Sequence, residues 1–512
     1  SGTRFSLSAF FQPFSLYRVT PRETQLRISR KGKKLSETLF SADRFDDLAY
    51  LSRGGAGNVR SDVVFAGYGI GDDSLGFNEI DALGSKEISI EGKWVMVMAD
   101  EPMSVDGKSL LPTPERSLSR WTTGYVEKLM AIAGVGKPAG VLVVTDLTPR
   151  NKLPFAEAAE AASQRARNTG GLAYHDPSDI IPVFSISAKL ANLILGPTGR
   201  TIEGLQRGID KTLKPNVFEV SDVVIQSKAT RHQKLETENV LAMIEGSDPE
   251  LKDEVVVVSA HYDHLGTDPN LTGDQIFNGA ADDGSGTVAT LEIARAFILA
   301  KKNGHGPRRS ILFANFTGEE AGLFGSLFYT NVDPKIPHAR TVANINMDGV
   351  GGIDLGNPTG RSDYVYITGR EGLSEELVEL NRSINALSGS PLKLADGGPM
   401  GFSSDDRSFA DQFVPFIYFS TGRTEHYHTV KDSPDTIDYA HMAQVVRLVL
   451  ANVWQVANQD ARIAGIDRET LEDSGYSCLP CGLACDRKMY DKPGNCPFCG
   501  HSLIKRYIRR EK

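Results

Sequence analysis

One repeated pattern constrains this chain more than any other. Between about residues 213 and 463, short apolar runs recur: Val255-Val-Val-Val, Ile311-Leu-Phe-Ala-Asn-Phe, Val342-Ala-Asn-Ile-Asn and Phe416-Ile-Tyr-Phe. Runs of this composition are strands buried on both faces. Between the first two lies a stretch, about 286–301, in which Val288, Leu291, Arg295 and Ile298 recur at three- and four-residue spacing. Arg295 is the polar exception, and Ser285 stands where an N-cap belongs. The expected element is a helix laying that mostly apolar face on the sheet. A last helix of the same character is expected at about 440–457. Strands alternating with helices predict an α/β domain, three-layered αβα, around a mixed, largely parallel sheet.

The residues just past each strand carry more information than the strand itself. After the first comes His261-Tyr-Asp263-His264, after the second Thr317-Gly-Glu319-Glu320, after the third Asp348, and after the fourth His426-Tyr427-His428. Parallel strands put their carboxyl ends on one edge, where ligands of open α/β sheets bind. Residues far apart in sequence should therefore meet in one cleft. The loop Asn278-Gly-Ala-Ala-Asp282-Asp283-Gly-Ser-Gly can turn a carboxylate over the same edge. Two histidines and three carboxylates suit two zinc ions, because imidazole and carboxylate both bind zinc well. Three carboxylates and one bridging hydroxide would balance two Zn²⁺, and a buried cleft penalises unbalanced charge.

The order His-x-Asp, Asn-Gly-Ala-Ala-Asp-Asp-Gly-Ser-Gly, Gly-Glu-Glu-Ala-Gly, Asn-Met-Asp, Tyr-His-Thr-x-x-Asp resembles the co-catalytic di-zinc metallopeptidases (clan MH, family 28). That family includes secreted aminopeptidases and glutamate carboxypeptidases, and its fold is phosphorylase/hydrolase-like. The resemblance implies that His261 and Asp348 hold one catalytic zinc and Glu320 and His428 the other. Asp282 would bridge them, and Glu319 would be the general acid/base. Asp263 would accept a hydrogen bond from His261 and fix its tautomer. Tyr427 resembles the tyrosine that in some relatives donates to the tetrahedral oxyanion. Where relatives often read Ser-Asp-His, this chain reads Ser404-Asp405-Asp406-Arg407. Asp405 or Asp406 is a candidate partner for a substrate ammonium group, and Arg407 for a carboxylate. The expected activity is removal of N-terminal residues from peptides by a zinc aminopeptidase. The alternatives are a carboxypeptidase acting on small acidic peptides, or a catalytically silent metal- or peptide-binding protein.

Residues 1–60 contain short alternating stretches such as Thr24-Gln-Leu-Arg-Ile-Ser and read as edge strands packing on the peptidase domain. Residues 61–212 carry Phe65-Ala-Gly-Tyr-Gly-Ile, Glu91-Gly-Lys-Trp-Val-Met-Val, Ala139-Gly-Val-Leu-Val-Val and Ile181-Pro-Val-Phe-Ser-Ile. In that order they resemble the β-rich protease-associated domain. Its lone histidine, His175, reads as a surface residue. The peptidase domain is then 213–463.

All five cysteines lie in the remaining segment, 464–512, so a disulfide framework for the whole chain is excluded. Cys478-Leu-Pro-Cys481 and Cys496-Pro-Phe-Cys499 are knuckles with zinc-ribbon spacing. These four are the favoured ligands of one structural zinc, with Cys485 an alternate. The segment resembles a small heavy-metal-binding module, and two disulfides with a spare thiol are the other reading. A formal net charge of -9 argues against nucleic acid as partner. No apolar run approaches the ~20 residues of a membrane span. Ser1 is not a methionine and no positively charged segment precedes an apolar one, so either a signal segment has been removed or the sequence starts late; a secreted or periplasmic location is expected. Peptide substrate is the expected partner, and the sequence leaves the oligomeric state open.

Overall fold

The computed structural model describes residues 10–20, 25–30, 38–41, 46–50, 58–114, 117–122, 125–147, 153–168, 172–174, 181–228, 231–357, 359–370, 373–397, 404–465, 471–478, 485, 488–496 and 503–509. The chain divides into two compact units. One comprises Ser1–Phe14, Glu236–Glu472 and Ile508–Lys512; the other comprises Ser15–Leu235 and Asp473–Tyr507.

In the first unit the strands are β1 (Arg231–Ile244), β2 (Val255–His261), β3 (Ser310–Phe316), β4 (Thr341–Met347), β5 (Tyr364–Thr368), β6 (Lys393–Asp396) and β7 (Phe416–Ser420). They lie in the order β1-β3-β2-β4-β7-β5-β6. The pairs β2–β3, β2–β4, β4–β7 and β5–β6 are parallel, whereas β1–β3 and β5–β7 are antiparallel. The sheet is therefore mixed and largely parallel. Alternate residues of the valine run serve opposite faces. Val256 and Val258 join Ile293, Phe297, Val449 and Val453 on one side. Val255 and Val257 join Phe316, Tyr329 and Phe409 on the other. Each such side chain contributes roughly 1.5–3 kcal/mol by leaving water, so both faces of β2 need cover.

Helices α1 (Ser285–Lys302), α2 (Glu375–Leu387), α3 (Asp406–Ala410) and α4 (Tyr439–Asn458) belong to the same unit. Helix α1 corrects the expected face. Val288, Leu291 and Ile298 are 50%, 58% and 44% exposed, while Gly286, Ala289, Thr290, Ile293 and Phe297 are buried. Ile293 and Phe297 give the buried stripe its apolar area, and the small Gly286 and Ala289 let the helix axis approach the sheet closely. Ser285 lies inside the helix rather than at its cap: its hydroxyl donates to the Ala281 carbonyl (2.7 Å) and accepts from the Val350 amide (2.9 Å). Helix α4 is capped by Asp438, whose carboxylate accepts from the His441 amide (3.0 Å).

The second unit is built on an eight-stranded sheet. Its centre is parallel: Arg60–Phe65, Trp94–Met98, Gly140–Val144 and Val183–Ile186. Phe218–Lys228, Gln25–Arg30 and Thr38–Ser41 extend one side antiparallel, and Leu48–Tyr50 closes the other. The strands within 1–60 divide between the two sheets: Phe11–Thr20 lies next to Arg231–Ile244 in the nine-stranded sheet that holds the peptidase strands, whereas Gln25–Arg30, Thr38–Ser41 and Leu48–Tyr50 pair inside the eight-stranded sheet. Strand pairing is non-local, and nothing in a short alternating run names its partner. The polar stretch 155–168 is a helix, as are 126–135, 188–195 and 202–212, so the unit is α/β rather than purely β-rich. In the C-terminal segment Tyr476 pairs with Tyr490 and Ser477 with Met489. His175, Cys481 and Cys499 lie outside the described residues.

Candidate active site

The parallel register levels the strand ends. His261, the last residue of β2, lies opposite Phe316 of β3, and Ser259 lies opposite Asn346 of β4. The chain leaves each strand at the same edge, carrying His261, Glu319 and Glu320, Asp348, and the loop to His428.

Asp282 is the hub. One carboxylate oxygen is 3.3 Å from His261 Nε2, and the other is 3.1 Å from His428 Nε2. Glu320 reaches His428 Nε2 at 3.1 Å with one oxygen and His264 Nδ1 at 2.7 Å with the other. Asp348 and Glu319 each lie 3.8 Å from His261 Nε2. Two sets of donors result: His261, Asp283 and Asp348 in one, His264, Asp282 and Glu320 in the other. His261 Nδ1 lies 3.1 Å from the Asp263 carbonyl oxygen, which fixes that nitrogen as donor and makes Nε2, facing the carboxylates, the nitrogen that can give up its proton to bind a metal. His261 Nε2, His428 Nε2 and Glu320 Oε1 are buried without a hydrogen-bond partner. Orphaned acceptors converging among carboxylates are a donor set that zinc fits.

Backbone clamps hold the loops. Asp432 accepts from the Ala281 amide (2.8 Å) and the Asp282 amide (3.1 Å). Asp283 accepts from Gly286 (2.9 Å), Gly349 (3.0 Å) and His261 (3.3 Å). Gly286 is required here: a Cβ would sit 2.5 Å from the Asp283 carboxylate and 2.7 Å from the Met347 carbonyl. The Asp263 carboxylate accepts from the Glu319 and Glu320 amides and stands 3.6 Å from His261 Nδ1. The contact with His261 expected of that carboxylate is made by the Asp263 backbone carbonyl.

The electrostatics follow from crowding. Burial alone would lower the His261 pKa, but Asp263, Asp282 and Asp348 raise it well above the usual range. His428 is pushed up to about 9, because Asp282 and Glu320 outweigh its burial. Glu319 is raised well above an ordinary glutamate by burial and by the charges of Asp348, Asp405 and Glu320, against the pull of His261. Tyr427 stacks on His428 (3.8 Å between centroids), and burial with the Asp282 charge raises its pKa. It keeps its proton and can donate. The Arg423 guanidinium lies 4.9 Å over the Tyr427 ring.

The expected substrate contacts are placed otherwise. Asp405 and Asp406 are 0% exposed, so neither meets a substrate ammonium group from solution. Burial pushes Asp405 up to about 7, and burial with the Asp348 charge raises Asp406. Arg407 is exposed. His264, Asp283 and Asp432 carry roles that the motifs did not assign. The signal for His264 was its place three residues after His261. A cleft of about 890 Å³ lies elsewhere, among residues of α1, α2 and α4, and its described lining has Arg447 as the one charged group.

Residues 239–453 match the model of Peptidase family M28. The match supports the M28 peptidase family for this segment, which contains all the site residues above. The chain is 29% identical to a probable zinc metalloprotease of Pyricularia oryzae over 47% of this chain and 54% of that protein. It is 25% identical to aminopeptidase YwaD of Bacillus subtilis over 63% of each. It thus spans about half to two-thirds of the length of these curated relatives. Among solved structures, an aminopeptidase from Aneurinibacillus sp. strain AM-1 is similar, with 18% identity and a TM-score of 0.46 over 89% of this chain and 86% of that one. The M28 relatives so named are aminopeptidases, hydrolases of peptide bonds. No described helix is long and apolar enough to cross a membrane.

Proposed function

We propose that the M28 segment is a zinc-dependent exopeptidase of the aminopeptidase type. The observation that carries the reading is Asp282 presenting one oxygen to His261 and the other to His428. That arrangement suits a carboxylate shared by two ions. His261 and Asp348 would hold one zinc, and Glu320 and His428 the other, with His264 beside Glu320. Zinc bound there would supply Lewis acidity toward a carbonyl and lower the pKa of water. Glu319 is the proton acceptor: its carboxylate stands 3.8 Å from His261 Nε2, beside the two donor sets and part of neither. It can then return the proton to the leaving amine. Tyr427, holding its proton, can donate to the developing oxyanion. Residues 61–212 read as a protease-associated module, and a third, structural metal belongs in the cysteine tail. A secreted or periplasmic location completes the reading.

The test is hydrolysis of amino-acid p-nitroanilides with and without a chelator. Activity lost to the chelator and restored by zinc supports the reading. Glu319→Gln should lower kcat by about 10²–10⁴-fold while two zinc ions per M28 site remain. Full activity in Glu319→Gln would remove the base from the mechanism. Arg423, beside Tyr427, favours a second reading in which a substrate carboxylate docks there, as in a carboxypeptidase acting on acidic peptides. N-blocked acidic dipeptides would then be cleaved, with KM raised by Arg423→Ala.

A further inference from the structure

Cys478, Cys485 and Cys496 are 1%, 0% and 1% exposed. Their sulfur atoms all lie within 4.8 Å of one another, and no disulfide joins any two of them. Spacing alone does not pair Cys485 with the other two, because it belongs to neither Cys-x-x-Cys knuckle. The fold brings it there. The three thiols also share one continuous buried cluster with Val64, Val95, Leu129, Ile132 and Val143 of the second unit. The C-terminal segment therefore turns its sulfurs inward, onto the layer that covers the parallel sheet.

The chemistry of that triangle is specific. A zinc–sulfur bond is about 2.3 Å long, so three sulfurs around one ion stand roughly 3.8–4.0 Å apart. The three sulfurs, all within 4.8 Å of one another, are close enough for one ion to reach each of them. A disulfide needs about 2.05 Å and would leave the third sulfur over. Three thiolates around a divalent ion carry a net negative charge, and two basic residues contact the neighbours of these cysteines. The Lys488 amide donates to the Cys485 carbonyl (3.1 Å), and its ammonium lies 5.5 Å over the Tyr490 ring. The Tyr490 hydroxyl is 3.4 Å from Cys496 Sγ. Arg506 donates to the Ser477 hydroxyl (2.7 Å), which donates to the Cys478 carbonyl (3.1 Å).

We propose that Cys478, Cys485 and Cys496 hold one thiophilic cation, Zn²⁺ or Cu⁺, and that this ion clasps the 473–507 segment to the apolar layer of the second unit. The proposal rests on the reading of the tail as metal-binding, not on the peptidase reading. Each thiol loses its proton on binding, so occupancy falls with acid. The metal here is a fastener for a segment of about 35 residues, too small to bury a core of its own.

Co²⁺ added to the purified metal-free chain tests it, because only thiolate ligands give a near-ultraviolet sulfur-to-cobalt charge-transfer band. The His and carboxylate site gives none. One equivalent of band intensity is expected, displaced by Zn²⁺, and a Cu⁺ titration read through the same displacement separates the two ions. Cys485→Ser should lose at least half of the band. Cys485→His should keep one equivalent of bound metal with a weaker band. Hydrogen exchange at residues 94–98 and 126–135 should rise at least tenfold in Cys485→Ser. A band of full strength in Cys485→Ser overturns the assignment of Cys485 while leaving a tail metal standing. No band in the wild-type chain, with thiols titrating freely, overturns the tail metal itself. A band lost without a change in exchange overturns the clasp.

Discussion

The Asp263 carboxylate accepts the Glu319 amide with one oxygen at 3.0 Å and the Glu320 amide with the other at 3.3 Å. One side chain at the end of β2 thereby sets the backbone of the proposed base and of an adjacent ligand. An asparagine has a single acceptor oxygen and would turn an amine toward the second N–H. Asp263→Asn should lower kcat about 10–100-fold and weaken zinc retention by a similar factor. Steady-state kinetics with metal analysis after dialysis reads both. Unchanged kcat and metal content would show that the clamp is dispensable.

Asp283 makes the corresponding argument on the other side of the site. It gathers amides from Gly286, Gly349 and His261, and Gly286 leaves no room for a Cβ. Gly286→Ala must push Asp283 aside. The expected cost is about 1–3 kcal/mol of stability, as for other overpacked sites, with loss of zinc affinity. Thermal melts with and without zinc would show it: a variant that melts like wild type in both would refute the packing argument.

How much of this was legible in the sequence depends on which force placed each residue. The runs at Val255 and Ile311 declared their strands because both sheet faces demand apolar side chains. The residues after them then fell on one edge by the geometry of parallel strands. Helix α1 was legible in extent but not in orientation: periodicity marks more than one stripe, and closeness of approach chose Ala289 and Gly286 over Val288 and Leu291. The clamps of Asp263, Asp283 and Asp432 bond to backbone amides, which have no signature in residue type. Cys485 was legible only as an alternate ligand for a related reason, since spacing within a knuckle says nothing of a third sulfur brought in by the fold.

The orientation of α1 has its own test. Leu291 is 58% exposed, so Leu291→Lys should change stability by no more than about 0.5 kcal/mol. Ala289 is 1% exposed and packed among core side chains, so Ala289→Leu should cost about 1–3 kcal/mol. Urea denaturation of the two variants decides between the faces. The reverse ranking would restore the face that periodicity suggested.

In the second unit Asp210 and Tyr68 form a pH-dependent pair. The Tyr68 hydroxyl donates to Asp210 at 2.6 Å. Burial pushes the Asp210 pKa up to about 6 despite that bond, which favours the ionised form. A raised folded-state pKa means that the folded chain holds the proton more tightly than the unfolded one. The stabilisation is complete below the ordinary aspartate range and is lost as pH rises through about 6. Asparagine keeps an acceptor for Tyr68 and cannot ionise. The stability of wild type relative to Asp210→Asn should therefore fall from about pH 4 to about pH 7, then level off. Because Asp210 is only partly buried, solvent screening keeps the change small, on the order of 1 kcal/mol. Urea midpoints of the two proteins across that window measure it. A difference that stays flat, or rises with pH, would mean that Asp210 is not held in its neutral form by burial.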